Sequence, residues 1–182
     1  INCENKGQVH CDESVAGVIG KLSVERTGAM KIDNCVNHVN ITGKGKTGGI
    51  ISDLTGAVLH QEGAVAISNC KNLGNITTED LYSGGIITSL TVIGEAVDLN
   101  LTLDNCSNEG SIQSGSCAGG ILGFSNVGFN AEVSAEEMKI SEETNITLNK
   151  CNNSGDVIVT NNNAMVGGIV GVLGVGYVST EI

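Results

Sequence analysis

The chain has 182 residues, enough for one sizeable core or a short repeat array, and carries 26 Gly, 20 Asn and 18 Ile but no Pro, no Trp, two Tyr and two Phe. That composition argues against an aromatic-anchored enzyme pocket, a Pro-rich linker and a collagen-like chain, which needs a strict three-residue glycine period with Pro. Nine Lys and Arg against 20 Asp and Glu give a formal charge of −11, so no basic stripe is available for a phosphate backbone and nucleic acid is not an expected partner.

Along the chain one two-part pattern returns. Its first part is Cys-x-Asn, followed six positions after the Cys by Ile or Val: CENKGQV from Cys3, CVNHVNI from Cys35, CKNLGNI from Cys70, CSNEGSI from Cys106 and CNNSGDV from Cys151. Its second part is a small-residue pair before an apolar residue: Ala16-Gly17-Val18, Gly48-Gly49-Ile50, Gly84-Gly85-Ile86, Gly119-Gly120-Ile121 and Gly167-Gly168-Ile169. The second residue of each pair lies 14, 14, 15, 14 and 17 residues after its Cys, and successive cysteines are 32, 35, 36 and 45 residues apart.

A third, looser segment completes each unit. Leu22 and Val24, then Leu99, Leu101 and Leu103, then Ile146 and Leu148 alternate as in a half-buried strand. Cys70, Asn72, Gly74 and Ile76 share one parity and belong to one strand face. Each unit therefore reads as about three short strands separated by Gly, Asn and Ser turns. A unit of this size cannot bury an apolar face alone, whereas stacked units share a continuous core. The expected fold is all-β, a β-solenoid (β-helix) of about five coils with one acidic insertion, forming a single repeat segment over residues 1–182. Helical repeats of similar period are disfavoured by Ile41-Thr42-Gly43-Lys44-Gly45 and the paired glycines, which would break every helix they entered. The pattern opens at Ile1-Asn2-Cys3 and is cut at Ile182, so the chain reads as an excerpt of a longer polypeptide.

These units resemble GLUG-type repeats, in which a Cys-x-Asn-x-Gly box precedes Gly-Gly-Ile/Leu-hydrophobic-Gly. Gly119-Gly120-Ile121-Leu122-Gly123 and Gly167-Gly168-Ile169-Val170-Gly171 match most closely, while Val39 and Ala16 stand where Gly is expected. The resemblance implies a large cell-surface or secreted protein, adhesin-like or a non-catalytic part of a surface peptidase. It implies no reaction.

Seven cysteines are an odd number for a disulfide framework. Cys3, Cys35, Cys70, Cys106 and Cys151 share one repeat position and are expected to form a buried thiol ladder, since side chains pointing the same way strain a bridge. Cys11 and Cys117 fall off that ladder. No CxxC spacing is present and a line of thiols offers no tetrahedron, so no metal or other cofactor is expected. Asn5, Asn37, Asn72, Asn108 and Asn153 also recur at one position, where each amide can donate to one neighbour and accept from the other. The glycine pairs are followed by no Lys-Ser/Thr and read as turns needing positive φ or close approach, not phosphate loops. His10, His38 and His60 form no HExxH, and no acid recurs at one repeat position as a glycan-cleaving pair would require.

The 45-residue step contains the densest acidic stretch, Glu132, Glu136, Glu137, Glu142 and Glu143, with Ser134 to Glu137 fitting a capping box for a short helix at about residues 135–140. Insertions between repeats often form the binding face, making this the best local contact site in the sequence. Asn-x-Ser/Thr sequons occur at Asn40, Asn75, Asn100, Asn105, Asn145 and Asn152, six where composition alone predicts about three. No apolar run reaches the ~18–20 residues that span a bilayer.

The leading expectation is a non-catalytic extracellular stalk or adhesive surface whose partners are a protein or glycan surface, or copies of itself. A filament subunit polymerising end to end is the alternative, and a carbohydrate-cleaving β-helix enzyme the second.

Overall fold

The computed structural model describes residues 2–24, 28–56, 63–94, 99–129 and 145–177. Every strand pair in it is parallel, and each strand bonds to its counterpart in the adjacent repeat unit. The protein is a β-solenoid. Four of its five sheets are five strands deep and one is four strands deep.

The cysteine sheet stacks Cys3–Asn5, Cys35–Asn37, Lys71–Asn72, Ser107–Asn108 and Asn152–Asn153. An isoleucine sheet follows (His10–Cys11, Ile41–Gly43, Ile76–Thr78, Ile112–Ser114, Val157–Val159), then a glycine sheet (Ser14–Ala16, Lys46–Gly48, Ser83–Gly84, Ala118–Gly119, Val166–Gly167). The longest strands form the fourth wall: Ile19–Val24, Ile51–Gly56, Ile87–Gly94, Leu122–Phe129 and Val170–Tyr177. Gly28–Asp33, Gly63–Ser68, Leu99–Asp104 and Asn145–Asn149 complete the circuit.

Each complete circuit thus has five strand segments rather than about three. The sequence motifs each contain a corner. The Cys box breaks between its Asn and its Ile, and the Gly-Gly box separates the glycine strand from the long strand. Strands of two or three residues carry too little alternation to be seen as separate elements.

In-register stacking explains why the period matters. Ile32, Ile67, Leu103 and Leu148 form one interior row, and Leu22, Leu54, Leu90, Ser125 and Leu173 another. Ile67, Leu90 and Leu103 are fully buried, each side chain worth about 1.5–3 kcal/mol of transfer free energy. A slip of one residue would turn these rows outward. Ala16, one departure from the glycine pattern, is buried in the first unit.

Candidate functional site

The cysteine sheet and its corners hold most of the sequence-predicted positions. Cys3 pairs in register with Cys35 and Asn5 with Asn37, and the same alignment continues through Asn72, Asn108 and Asn153. Asn5 Nδ2 donates to Asn37 Oδ1 at 3.0 Å, Asn37 to Asn72 at 2.8 Å, Asn72 to Asn108 at 2.7 Å and Asn108 to Asn153 at 2.7 Å. The second hydrogen of each amide turns the following corner: Asn37 Nδ2 reaches Val39 O at 2.8 Å, and Asn72, Asn108 and Asn153 reach the carbonyls of Gly74, Gly110 and Gly155. The row is unbroken at Val39 because the bond is to a backbone carbonyl, which any residue supplies.

The thiols line the core beside this row. Cys35, Cys70 and Cys106 are buried and Cys3 and Cys151 half-buried, and all seven cysteines remain thiols. Cys70 Sγ donates to Ser68 O at 3.3 Å, two residues back, as Cys106 does to Asp104 O. Burial pushes the Cys35 thiol up to about 11. The Cys106 thiol is also pushed up, by the neighbouring Cys151 and Cys70 thiols and by its burial. Cys11 is exposed near the start of the stack and Cys117 is buried next to the glycine strand of the fourth unit. Three unit steps of about 4.8 Å separate them, beyond disulfide reach.

The corner before each cysteine was not singled out from sequence. Asn34, Asn69, Asn105 and Lys150 adopt φ of 54°, 53°, 52° and 51°, the left-handed region that Asn tolerates better than other non-glycine residues. No described glycine has positive φ, so the glycine pairs serve close approach between units, and the sharp turn belongs to the asparagines. A signal was present: Asn2, Asn34, Asn69 and Asn105 each precede a repeat Cys. Their side chains build an outer amide row. Asn34 Nδ2 donates to Asn2 Oδ1 at 3.3 Å, Asn69 to Asp33 Oδ1 at 2.9 Å and Asn105 to Asn69 Oδ1 at 2.8 Å. Hydrogen bonds from Asn69 and Ser68 hold the Asp33 carboxyl below the usual carboxylate range.

Between these corners lies a shallow outer depression of about 360 Å³, bordered by Asn69, Lys71, Asn105, Glu109, Lys150 and Asn152. Lys71 Nζ sits 2.5 Å from Glu109 Oε1, which neutralises the centre. Amides, a hydroxyl at Ser107 and a second ammonium at Lys150 form its rim. Such a surface offers hydrogen bonds to a polar ligand.

All six sequon asparagines lie on the outside, Asn100 half-exposed and Asn40, Asn75, Asn105, Asn145 and Asn152 exposed. Several already work between units: Asn40 Oδ1 accepts from Asn75 N at 2.8 Å, and Asn145 Nδ2 donates to Asn100 Oδ1 at 3.0 Å. His10 and His38 are surface groups, with His38 Nε2 3.9 Å from Glu4. His60, the helix expected at 135–140 and the acids Glu132, Glu136, Glu137, Glu142 and Glu143 lie outside the described residues. Among the described residues no group of three His, Cys, Asp or Glu side chains is placed to hold a metal ion, and no helix is long and apolar enough to cross a membrane. Against family models, curated proteins and solved structures the chain gives no match.

Proposed function

We propose that this segment is a non-catalytic, GLUG-type repeat module of a large secreted or cell-surface protein, serving as a stalk or adhesive surface. One observation carries the reading: the polar side chains that recur in every unit are directed along the stack, amide to amide, from Asn5 to Asn153. Groups used this way hold units together and spare no chemistry for a substrate. What faces outward is polar, exposed or half-exposed Asn, Ser, Thr and Lys together with acids such as Glu4, Asp12, Glu79, Asp80 and Asp156, and it includes the depression at Lys71, Asn105 and Asn152. A wall of that kind suits a glycan or a polar protein surface.

The test is a glycan-array and matrix-protein screen, followed by titration of any hit against the Lys71→Ala and Asn152→Ala variants. Binding by the wild type that both variants weaken supports an adhesive wall. Chain cleavage of a bound polysaccharide would overturn it in favour of the enzyme reading.

The second reading, a subunit polymerising end to end, is favoured by the last described unit. Met165, Val166, Ile169 and Leu173 are 36–56 % exposed there, whereas their counterparts in the fourth unit, Cys117, Ala118, Ile121 and Ser125, are buried.

A further inference from the structure

The residue before each repeat Cys is Asn in four units and Lys150 in the fifth. Corner amides bond from unit to unit, Asn34 to Asn2 and Asn105 to Asn69. Lys150 stands where the next amide would continue from Asn105, and among the described residues its ammonium makes no hydrogen bond or ion pair. That is unusual in this chain. Lys6, Lys31, Lys44, Lys46 and Lys71 each lie 2.5–3.6 Å from a carboxylate oxygen, and of the described lysines only Lys21 and Lys150 pair with none. Lys150 also holds φ at 51°, where its Cβ is strained. A strained corner that carries a free charge is a reason to look for a ligand beside it.

Beside it lies the outer depression of about 360 Å³. The cleft is lateral, built by three consecutive units: Asn69 and Lys71, then Asn105 and Glu109, then Lys150 and Asn152. Its volume is that of a small ligand cleft, but no aromatic ring lines it, so the apolar face of a neutral sugar has nothing to pack on. What it offers instead is hydrogen bonding. The Asn69 and Asn105 amides each use one Nδ2 hydrogen within the row and keep the other, and the Lys71–Glu109 pair places a donor next to an acceptor. Vicinal hydroxyls need such neighbouring donors and acceptors. With Lys71 neutralised by Glu109, the single unmatched charge at the rim is the Lys150 ammonium.

We propose that this depression binds one acidic sugar residue, a pyranose bearing a carboxylate, with the carboxylate on Lys150 and the hydroxyls on the corner amides and the Lys71–Glu109 pair. The assignment rests on the adhesive reading and narrows it to a ligand class. An extended polyanion is a poorer fit, because the chain carries a net charge of −11. A single carboxylate on Lys150 is shielded from most of that charge, since screening acts beyond about 8 Å at physiological ionic strength. An acidic peptide would use the ammonium but leave the amides without hydroxyl partners.

Methyl glucuronide and methyl glucoside differ only in the carboxylate, and titration of each into the isotopically labelled protein, followed by nuclear magnetic resonance, is the test. The glucuronide should shift the side-chain amide signals of Asn69, Asn105 and Asn152 and bind about tenfold more tightly than the glucoside. Lys150→Asn restores the residue type of the other corners, so it should fold at least as well as the wild type and lose the preference for the acid. Glu109→Gln releases Lys71 and should increase that preference, an effect no loss of structure imitates. Equal binding of the two sugars, or a preference that survives in Lys150→Asn, would overturn the proposal. Acetate binding as tightly as the glucuronide would reduce the site to an unspecific anion contact, and tighter binding of triglutamate would assign it to a protein partner; either result overturns the sugar. A neutral glycan found in the array screen and weakened by Lys71→Ala and Asn152→Ala would leave the adhesive reading standing and remove this inference alone.

Discussion

Asn72 Nδ2 lies 2.7 Å from Asn108 Oδ1, and neither residue has any solvent exposure. The same Nδ2 also donates to Gly74 O, while Asn72 Oδ1 accepts from Asn37, so one amide joins three units and closes a corner. Its neighbours depend on it. Asn72→Ala leaves the Asn108 oxygen and one Asn37 hydrogen without partners in a buried place, with a small cavity besides. We expect a loss of about 2–4 kcal/mol. The equivalent change at half-buried Asn5, where water replaces one partner, should lose less than half as much. Urea denaturation of both variants decides this, and equal losses would show that the row is not cooperative with depth.

The thiol beside that amide is subject to the same reasoning at lower stakes. Cys70 is buried among apolar side chains and donates only a long bond to Ser68 O at 3.3 Å. Cys70→Ser exchanges a soft apolar atom for a smaller, more polar one, and should destabilise the fold by about 1–3 kcal/mol. An unchanged midpoint would mean that the hydroxyl bonds to Ser68 O as well as the thiol packs.

How much of this was legible follows from which signals are repeated. The Cys and Asn positions recur in every unit, so their stacking could be anticipated from spacing alone. The acidic stretch gave no comparable signal, since it has no counterpart in the other units. The corner at Asn34, Asn69 and Asn105 recurs as regularly as the cysteines, but Asn before Cys resembles ordinary turn composition until the backbone shows φ near 53°. In sequence the glycine pairs fit positive φ and close approach equally, and only the backbone angles and the neighbours across the stack distinguish the two. Contacts of that kind join residues about 35 positions apart and are invisible to local pattern.

Lys150 is the one described left-handed corner not occupied by Asn. A lysine there bears the Cβ clash of that region without the local hydrogen bonding that offsets it in Asn. Lys150→Asn should therefore stabilise the protein, by about 0.5–1 kcal/mol, and place an amide where it extends the row from Asn105. Thermal unfolding of the variant checks this. A lower midpoint would show that the lysine stem makes packing contacts worth more than the corner strain.

Thr88 poses the opposite case, a hydroxyl with no solvent exposure and no hydrogen-bond partner. Valine has nearly the same shape without the unmet polar atom. Thr88→Val should raise stability by about 1 kcal/mol, the desolvation penalty recovered. Destabilisation instead would indicate a buried water bonded to the hydroxyl.

Cys35 gives the fold a pH dependence of definite sign. Its thiol ionises at about 11 rather than the ordinary 9.0, because burial disfavours the thiolate and the neighbouring Cys70 opposes a negative charge. In the unfolded chain the proton leaves near 9, while the native state retains it. The native state then binds more protons in that window, so stability must fall as pH rises. The contribution is complete below pH 9 and is lost between pH 9 and about 11; it amounts to on the order of 2 kcal/mol. Denaturant titrations at half-unit steps from pH 8 to 11 should show this decline in the wild type and a flatter profile in Cys35→Ala, whose overall stability is lower but whose core carries one fewer titrating thiol. Parallel profiles for the two proteins would place the alkaline transition on another group and remove Cys35 from the account.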